Sequence, residues 1–205
     1  MGTPFKFESD DGIGYFIIDT PPANRMGRAF FAQFLQFRNS ILLDLDIKGM
    51  IVCGAGRHFS SGAILEEITE LSRISSDKAQ IRLEENSRCF SALEALPYPI
   101  VAAVNGCCLG SGMELALACH YRIASEKAVF SLPETGYGLI PGCGGTVRLP
   151  ELIGTSKALH LILTGRSVLA DDAFNLGLVD LVCSRDNLMK TARELIWKVN
   201  EERNA

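Results

Sequence analysis

Glu114 lies in NGCCLGSGMELALACH (105–120), where a glycine turn gives way to a helix that is apolar at Met113, Leu115, Ala116 and Leu117. Gly110 and Gly112 permit positive φ or the close approach of another backbone or a ligand. The helix start leaves unpaired N–H groups that attract an anion. An acid at this point either complements the helix dipole or, buried among apolar neighbours, moves protons. Burial would raise its pKa and the helix N-terminus would lower it, a balance that the sequence leaves open. A second acid, Glu134, follows Pro133 in PETGYGLIPGCGGTVRLP (133–150), as a turn carboxylate or as a second proton-transfer group. A third loop of small residues is GAGRHFSSGAILEEI (54–68). Together the loops offer two helix N-termini that can aim N–H groups and two carboxyls that can exchange protons.

Other chemistries find less support. No G-x-x-x-x-G-K-[ST] phosphate loop occurs, and Gly12-Ile13-Gly14 precedes a strand instead of following one. Neither Ser61 nor Ser111 sits in G-x-S-x-G. His58, His120 and His160 form no metal motif and read as packed or exposed histidines. Seven cysteines without zinc-like pairs read as reduced thiols, so no metal is expected, and Cys143 reads as a small turn residue. A net charge of −4 argues against nonspecific nucleic-acid binding but leaves room for an anionic small ligand. Leu65–Arg88 mixes six acids with four bases, unlike a basic nucleic-acid helix. No apolar run is long enough to span a bilayer, and Met1–Asp11 is polar and acidic, unlike a signal peptide. The expectation is a cytoplasmic protein with neither nucleic acid nor membrane as partner.

The elements that must hold these loops follow from hydrophobic pattern. The 205 residues, 47% of them hydrophobic, suffice for one substantial domain. Short apolar runs predict strands at Gly14–Asp19, Gly49–Cys53, Ile100–Val104 and Val129–Leu132. Helical stretches are predicted at Phe30–Leu43, Asp77–Leu96, Ser156–Thr164, Asp171–Leu176 and Leu188–Asn200. Pro97 and Pro99 end the second of these and launch YPIVAAVNG as a buried strand. The alternation indicates an α/β domain whose three loops each join a strand-like run to a helix.

Taken in order, the three loops resemble those of the enoyl-CoA hydratase/isomerase, or crotonase, superfamily. GAGRHFSSGAIL looks like its first oxyanion loop, and AAVNGCCLGSGMELALACHYRIASEKAVFSLPETGYGLIPGCGGTVRL like its central signature. The resemblance runs from about Phe5 to Val182 and implies a spiral of β-β-α units, assembled as a homotrimer or a dimer of trimers. On this basis residues 1–183 form the crotonase core and 184–205 a shortened C-terminal helical region, where the family chain usually continues through further helices.

The resemblance also implies an activity, the addition of water to a trans-2-enoyl-CoA to give a 3-hydroxyacyl-CoA. No cofactor is implied, since coenzyme A is part of the acyl-CoA thioester substrate. Glu114 falls on the position that mainly activates water and Glu134 on the one that mainly protonates Cα. The backbone N–H groups of Ser61 and Ser111 fall on the oxyanion donors, a use that can coexist with ordinary N-capping by either serine. Ser61, Gly62, Ala63, Ile64, Gly110 and Ser111 would line the substrate, and Arg25, Arg28 and Arg57 are candidates for its phosphates. Two departures stand out: Ile64 replaces a common aspartate, and Ser111 replaces a common glycine. The rival readings are a double-bond isomerase using Glu134 alone and a noncatalytic acyl-CoA-binding or assembly subunit.

Overall fold

The computed structural model describes residues 2–38, 46–71 and 73–204. In chain order come strands β1 (Phe5–Asp10) and β2 (Ile13–Ile18), helix α1 (Arg28–Phe37), β3 (Gly49–Gly54), α2 (Leu65–Leu71) and α3 (Ser76–Glu94). Next are β4 (Ile100–Val104), β5 (Cys107–Leu109), α4 (Ser111–Leu117), β6 (Tyr121–Ser125), β7 (Val129–Ser131) and a 3-10 turn at Pro133–Tyr137. The rest is α5 (Gly145–Ile153), α6 (Thr155–Thr164), β8 (Val168–Leu169), α7 (Ala170–Leu176), β9 (Leu181–Cys183) and α8 (Leu188–Asn204).

Six strands form one sheet in the order β1-β2-β3-β4-β6-β9, parallel except for the β1–β2 hairpin. Strands β5, β7 and β8 form a second, smaller sheet. The chain visits both sheets in turn: β4 leads to β5 and α4, and β6 leads to β7 and then α5. Ser60, bridged to Cys108, extends that rhythm one unit earlier, between β3 and α2. This is the expected spiral of β-β-α units.

Side-chain alternation explains why the central strands are apolar throughout. On β4, Ile100, Ala102 and Val104 join the main core, while Val101 and Ala103 join a second core on the opposite face. Helix α1 serves the main core with Phe30, Phe31, Phe34 and Phe37, a helical stripe that packs on Phe5 and Phe16. Helix α8 covers the other face with Leu188, Ala192 and Ile196, spaced four apart so that they stack on one side.

Several expectations shift. The helix foreseen at Phe30–Leu43 runs from Arg28 to Phe37, and its predicted residues 39–43 lie outside the described residues. The third loop (133–150) is not all loop, because α5 begins inside it at Gly145. Its glycines read as a turn, yet Gly144 at φ 102° is the N-cap from which that helix starts.

Candidate active site

The first two loops meet as backbone against backbone. Ser60 N–H donates to Cys107 O at 3.0 Å and Leu109 N–H to Ser60 O at 2.9 Å, laying residues 60–62 beside β5. Two glycines make the contact close: a Cβ on Gly62 would sit 2.7 Å from Leu109 O and 3.5 Å from Ser111 N. Both Gly62 (φ 91°) and Gly110 (φ 51°) occupy backbone conformations that favour glycine. Asn24 anchors the first loop from behind. Fully buried, it donates through Nδ2 to Ala55 O (2.9 Å) and His58 O (2.7 Å), and its carbonyl accepts from Ser60 Oγ (2.7 Å). The sequence reading missed Asn24. Its only outward signal is an amide after a Pro-Pro turn, a residue type suited to its positive φ of 51°.

This geometry corrects one expectation. Ser61 N–H is engaged, donating to Ala23 O at 2.8 Å. One residue on, the Gly62 carbonyl accepts from Met26 N–H at 2.9 Å. The Gly62–Ala63 peptide is trans, so its N–H points away from Met26. Among the described residues, the N–H groups of Ala63 and Ser111 meet no acceptor. The open donor on the first loop is therefore Ala63, not Ser61. Ser111 is the first residue of α4, and Gly110 is the N-cap, with no side-chain cap bond, so Ser111 does not serve as the cap.

Both acids converge on the same corner. Glu114 is 1% exposed, and its Oε1 accepts from Cys143 N–H (2.7 Å) and Gly145 N–H (2.9 Å). Among the described residues no peptide N–H bonds its other oxygen, and the Cys143 thiol also hydrogen-bonds this carboxyl. Burial raises the Glu114 pKa, opposed by the two peptide N–H groups and by the charge of Arg148. Glu134, on the 3-10 turn, places Oε1 3.1 Å from where a Cβ on Gly110 would lie. Its carboxyl is pushed up to about 7, first by burial and then by the charge of Glu114.

Among the described residues, three buried side-chain atoms have no hydrogen-bond partner: Ser61 Oγ, Ser111 Oγ and Glu134 Oε2. All three lie in the loops singled out from sequence. Unpaired buried polar atoms are costly, and their concentration in these loops marks where a ligand or water would bind.

A cavity of about 300 Å³ opens beside Ala63 and Ile64 between α1, α2 and α3. Met26, Phe31, Leu35 and Ile68 contribute apolar walls, and Arg28 and Arg82 also line it. Ile64 contacts Gly27, where a Cβ would lie 2.6 Å from its Cδ1. Arg28 is paired with Glu70, whereas Arg25 and Arg57 are exposed. Among the described residues no three His, Cys, Asp or Glu side chains gather to hold a metal ion, and no helix is long and apolar enough to cross a membrane.

Comparison with known proteins adds an independent finding. The family model for enoyl-CoA hydratase/isomerase matches residues 8–205. A relative from Bacillus subtilis (strain 168), named a probable enoyl-CoA hydratase, is 38% identical over 194 residues, covering 94% of this chain and 74% of the relative. A fatty acid oxidation complex subunit alpha from Shewanella frigidimarina is 39% identical over 195 residues, covering 92% of this chain but only 27% of that longer protein. Among solved structures, Pseudomonas aeruginosa DspI superposes with a TM-score of 0.88 at 33% identity, covering 97% of this chain and 75% of that one.

Proposed function

The chain belongs to the enoyl-CoA hydratase/isomerase family, and within it we propose that the protein is a hydratase, adding water to a trans-2-enoyl-CoA to form a 3-hydroxyacyl-CoA. The observation that carries this reading is the pair of carboxyls, Glu114 and Glu134, beside two open peptide N–H groups. The thioester oxygen accepts from Ala63 N–H and Ser111 N–H. Water on the free oxygen of Glu114 attacks Cβ, the Cα=Cβ electrons move to give an enolate, and the two donors stabilise its oxygen. Glu114 takes the proton of the water and Glu134 delivers one to Cα. A proton passed from Glu114 to Glu134 resets the pair.

The environments of the two acids support this division of roles. Glu114 has two peptide donors and a nearby arginine to favour its anion. Glu134 is buried, with an unpartnered oxygen, and is repelled by Glu114, which together push its pKa up to about 7, so that it keeps its proton well above the usual carboxylate range. No cofactor enters these steps, and coenzyme A arrives with the substrate. The cavity beside Ala63 takes part of the thioester. The breakdown of fatty or other acyl-CoA esters is the process this chemistry suits, and a cytoplasmic setting belongs to the same reading. The expected assembly is a homotrimer or a pair of trimers, for which exposed Ile140, Val147, Leu163 and Phe174 offer apolar surface.

The test is turnover of crotonyl-CoA, followed by loss of conjugated-thioester absorbance with the product identified as the 3-hydroxy ester. A second reading, double-bond isomerisation, is favoured by one observation: Glu134, titrating at about 7, suits a lone proton shuttle. Movement of a 3-enoyl double bond without hydration, retained in Glu114→Gln, would select it.

A further inference from the structure

Arg148 is an unusual residue for the interior: it is 8% exposed, on α5, with its guanidinium turned toward the site. Every arm is committed. Nε donates to Glu94 Oε1 (2.6 Å) and Nη2 to Glu94 Oε2 (3.0 Å), a two-pronged pairing with the last residue of α3. Nη2 also donates to Ser91 Oγ (3.0 Å), and Nη1 to Cys143 O (2.8 Å). Cys143 is the residue whose N–H grips Glu114, so Arg148 and the Glu114 carboxylate hold the same residue, one by its carbonyl and the other by its N–H.

The two glycines of the turn make room for both. A Cβ on Gly144 would fall 1.9 Å from Arg148 Nη1, and one on Gly145 would fall 3.1 Å from Glu114 Oε1. Either substitution would intrude on one side of the arrangement. A buried cation is costly, and a salt bridge to a partly exposed glutamate is a weak reason to keep one. Its position behind the carboxylate-binding turn is a better one.

We propose that Arg148 is a positioning residue: clamped to α3 through Glu94, it fixes the 143–145 turn so that one oxygen of Glu114 is held and the other stays free, and it sets a positive charge behind that carboxylate. This rests on the reading of Glu114 as the base. The charged and titratable groups facing Glu114 are Arg148 from α5, the Cys143 thiol from the turn and Glu134 from the 3-10 turn, with Glu94 of α3 behind Arg148. Burial holds the Cys143 thiol well above its ordinary range, so it is neutral. Glu134 adds no positive charge. Arg148 is thus the cation that opposes the burial of Glu114, and its charge lowers the Glu114 pKa.

The experiment compares the unmodified protein with Arg148→Met/Glu94→Gln, which leaves no buried unpaired charge, and with Arg148→Lys. Glutamate carboxyl carbons labelled with 13C are titrated by NMR, with Glu114 assigned by the loss of its signal in Glu114→Gln. In the folded double variant the Glu114 midpoint should rise by about one pH unit or more. Its kcat for crotonyl-CoA should fall at least about tenfold, with KM changed by less than about threefold. Arg148→Lys keeps the charge without the fork, so its midpoint should stay nearer that of the unmodified protein while kcat still falls. An unmoved midpoint in the folded double variant overturns the proposal, even if the unmodified protein hydrates crotonyl-CoA normally. Should the unmodified protein turn over no enoyl-CoA, the hydratase reading falls, and the titration alone still decides whether Arg148 acts on Glu114.

Discussion

Glu114 and Glu134 are the same side chain in two different settings. Glu114 sits behind a network in which the peptide N–H groups of Cys143 and Gly145 and the arms of Arg148 are all engaged. Glu134 stands near the start of a short 3-10 turn with a buried oxygen that nothing among the described residues satisfies. Burial pushes both pKa values up; Glu114 is offset by two peptide N–H groups of the 143–145 turn and by the charge of Arg148, whereas Glu134 is offset only by its own peptide N–H. Two identical acids are thereby pushed toward base and acid without any difference in covalent chemistry.

The sharpest way to break the comparison is to remove each acid in turn. Glu114→Gln and Glu134→Gln should each lower kcat for crotonyl-CoA by about 10²–10⁴-fold, with folding retained by circular dichroism. If only one substitution matters, the acids do not work as a pair. A slightly smaller effect is expected at the donors. Ser111→Pro removes one N–H while proline is tolerated at the first position of a helix, so kcat should fall about a hundredfold or more. Ser111→Gly keeps that N–H and should retain substantial activity. Inactivity of Ser111→Gly would shift the role to the buried hydroxyl. Ser61→Ala should cost less than about tenfold in kcat, because it keeps the N–H and removes only a hydroxyl that bonds nothing among the described residues.

The smallest effect concerns stability. The folded Glu134 carboxyl titrates at about 7, whereas an unfolded glutamate titrates near 4.3 by the usual reference value. The folded state therefore holds a proton that the unfolded chain releases first. The associated stability is complete below the unfolded pKa and is lost as pH rises through about 7. Glu134→Gln escapes this loss and should exceed the unmodified protein by about 1–2 kcal/mol at pH 8, but not at pH 4, in denaturant unfolding.

How much of this was legible in the sequence depends on length and phase. The run Ile100–Val104, launched after two prolines, is the observed β4 to the residue, and α3 departs by only a residue or two at each end. Of the second sheet only β7 was legible, as the apolar run Val129–Leu132; β5 has three residues and β8 two, too few to show a period. Strand β1 was missed because its outward residues are polar and its burial tails off along the strand. Within the site, residue types singled out both acids and the three loops. Which peptide N–H faces inward depends on the positive φ of Gly62, which redirects the backbone between Ser61 and Ala63. That is a conformational fact no residue type declares. Arg148 escaped for a related reason: a single arginine in GGTVRLP says nothing of Glu94, 54 positions away.

The measurement that most directly tests the division of labour is the pH dependence of kcat/KM for crotonyl-CoA. The account requires Glu134 protonated and Glu114 ionised, so activity should fall as pH rises through about 7, the range in which Glu134 loses its proton. Activity that climbs steadily from pH 6 to pH 9 would contradict it, because hydration would then proceed with Glu134 unable to supply the proton to Cα.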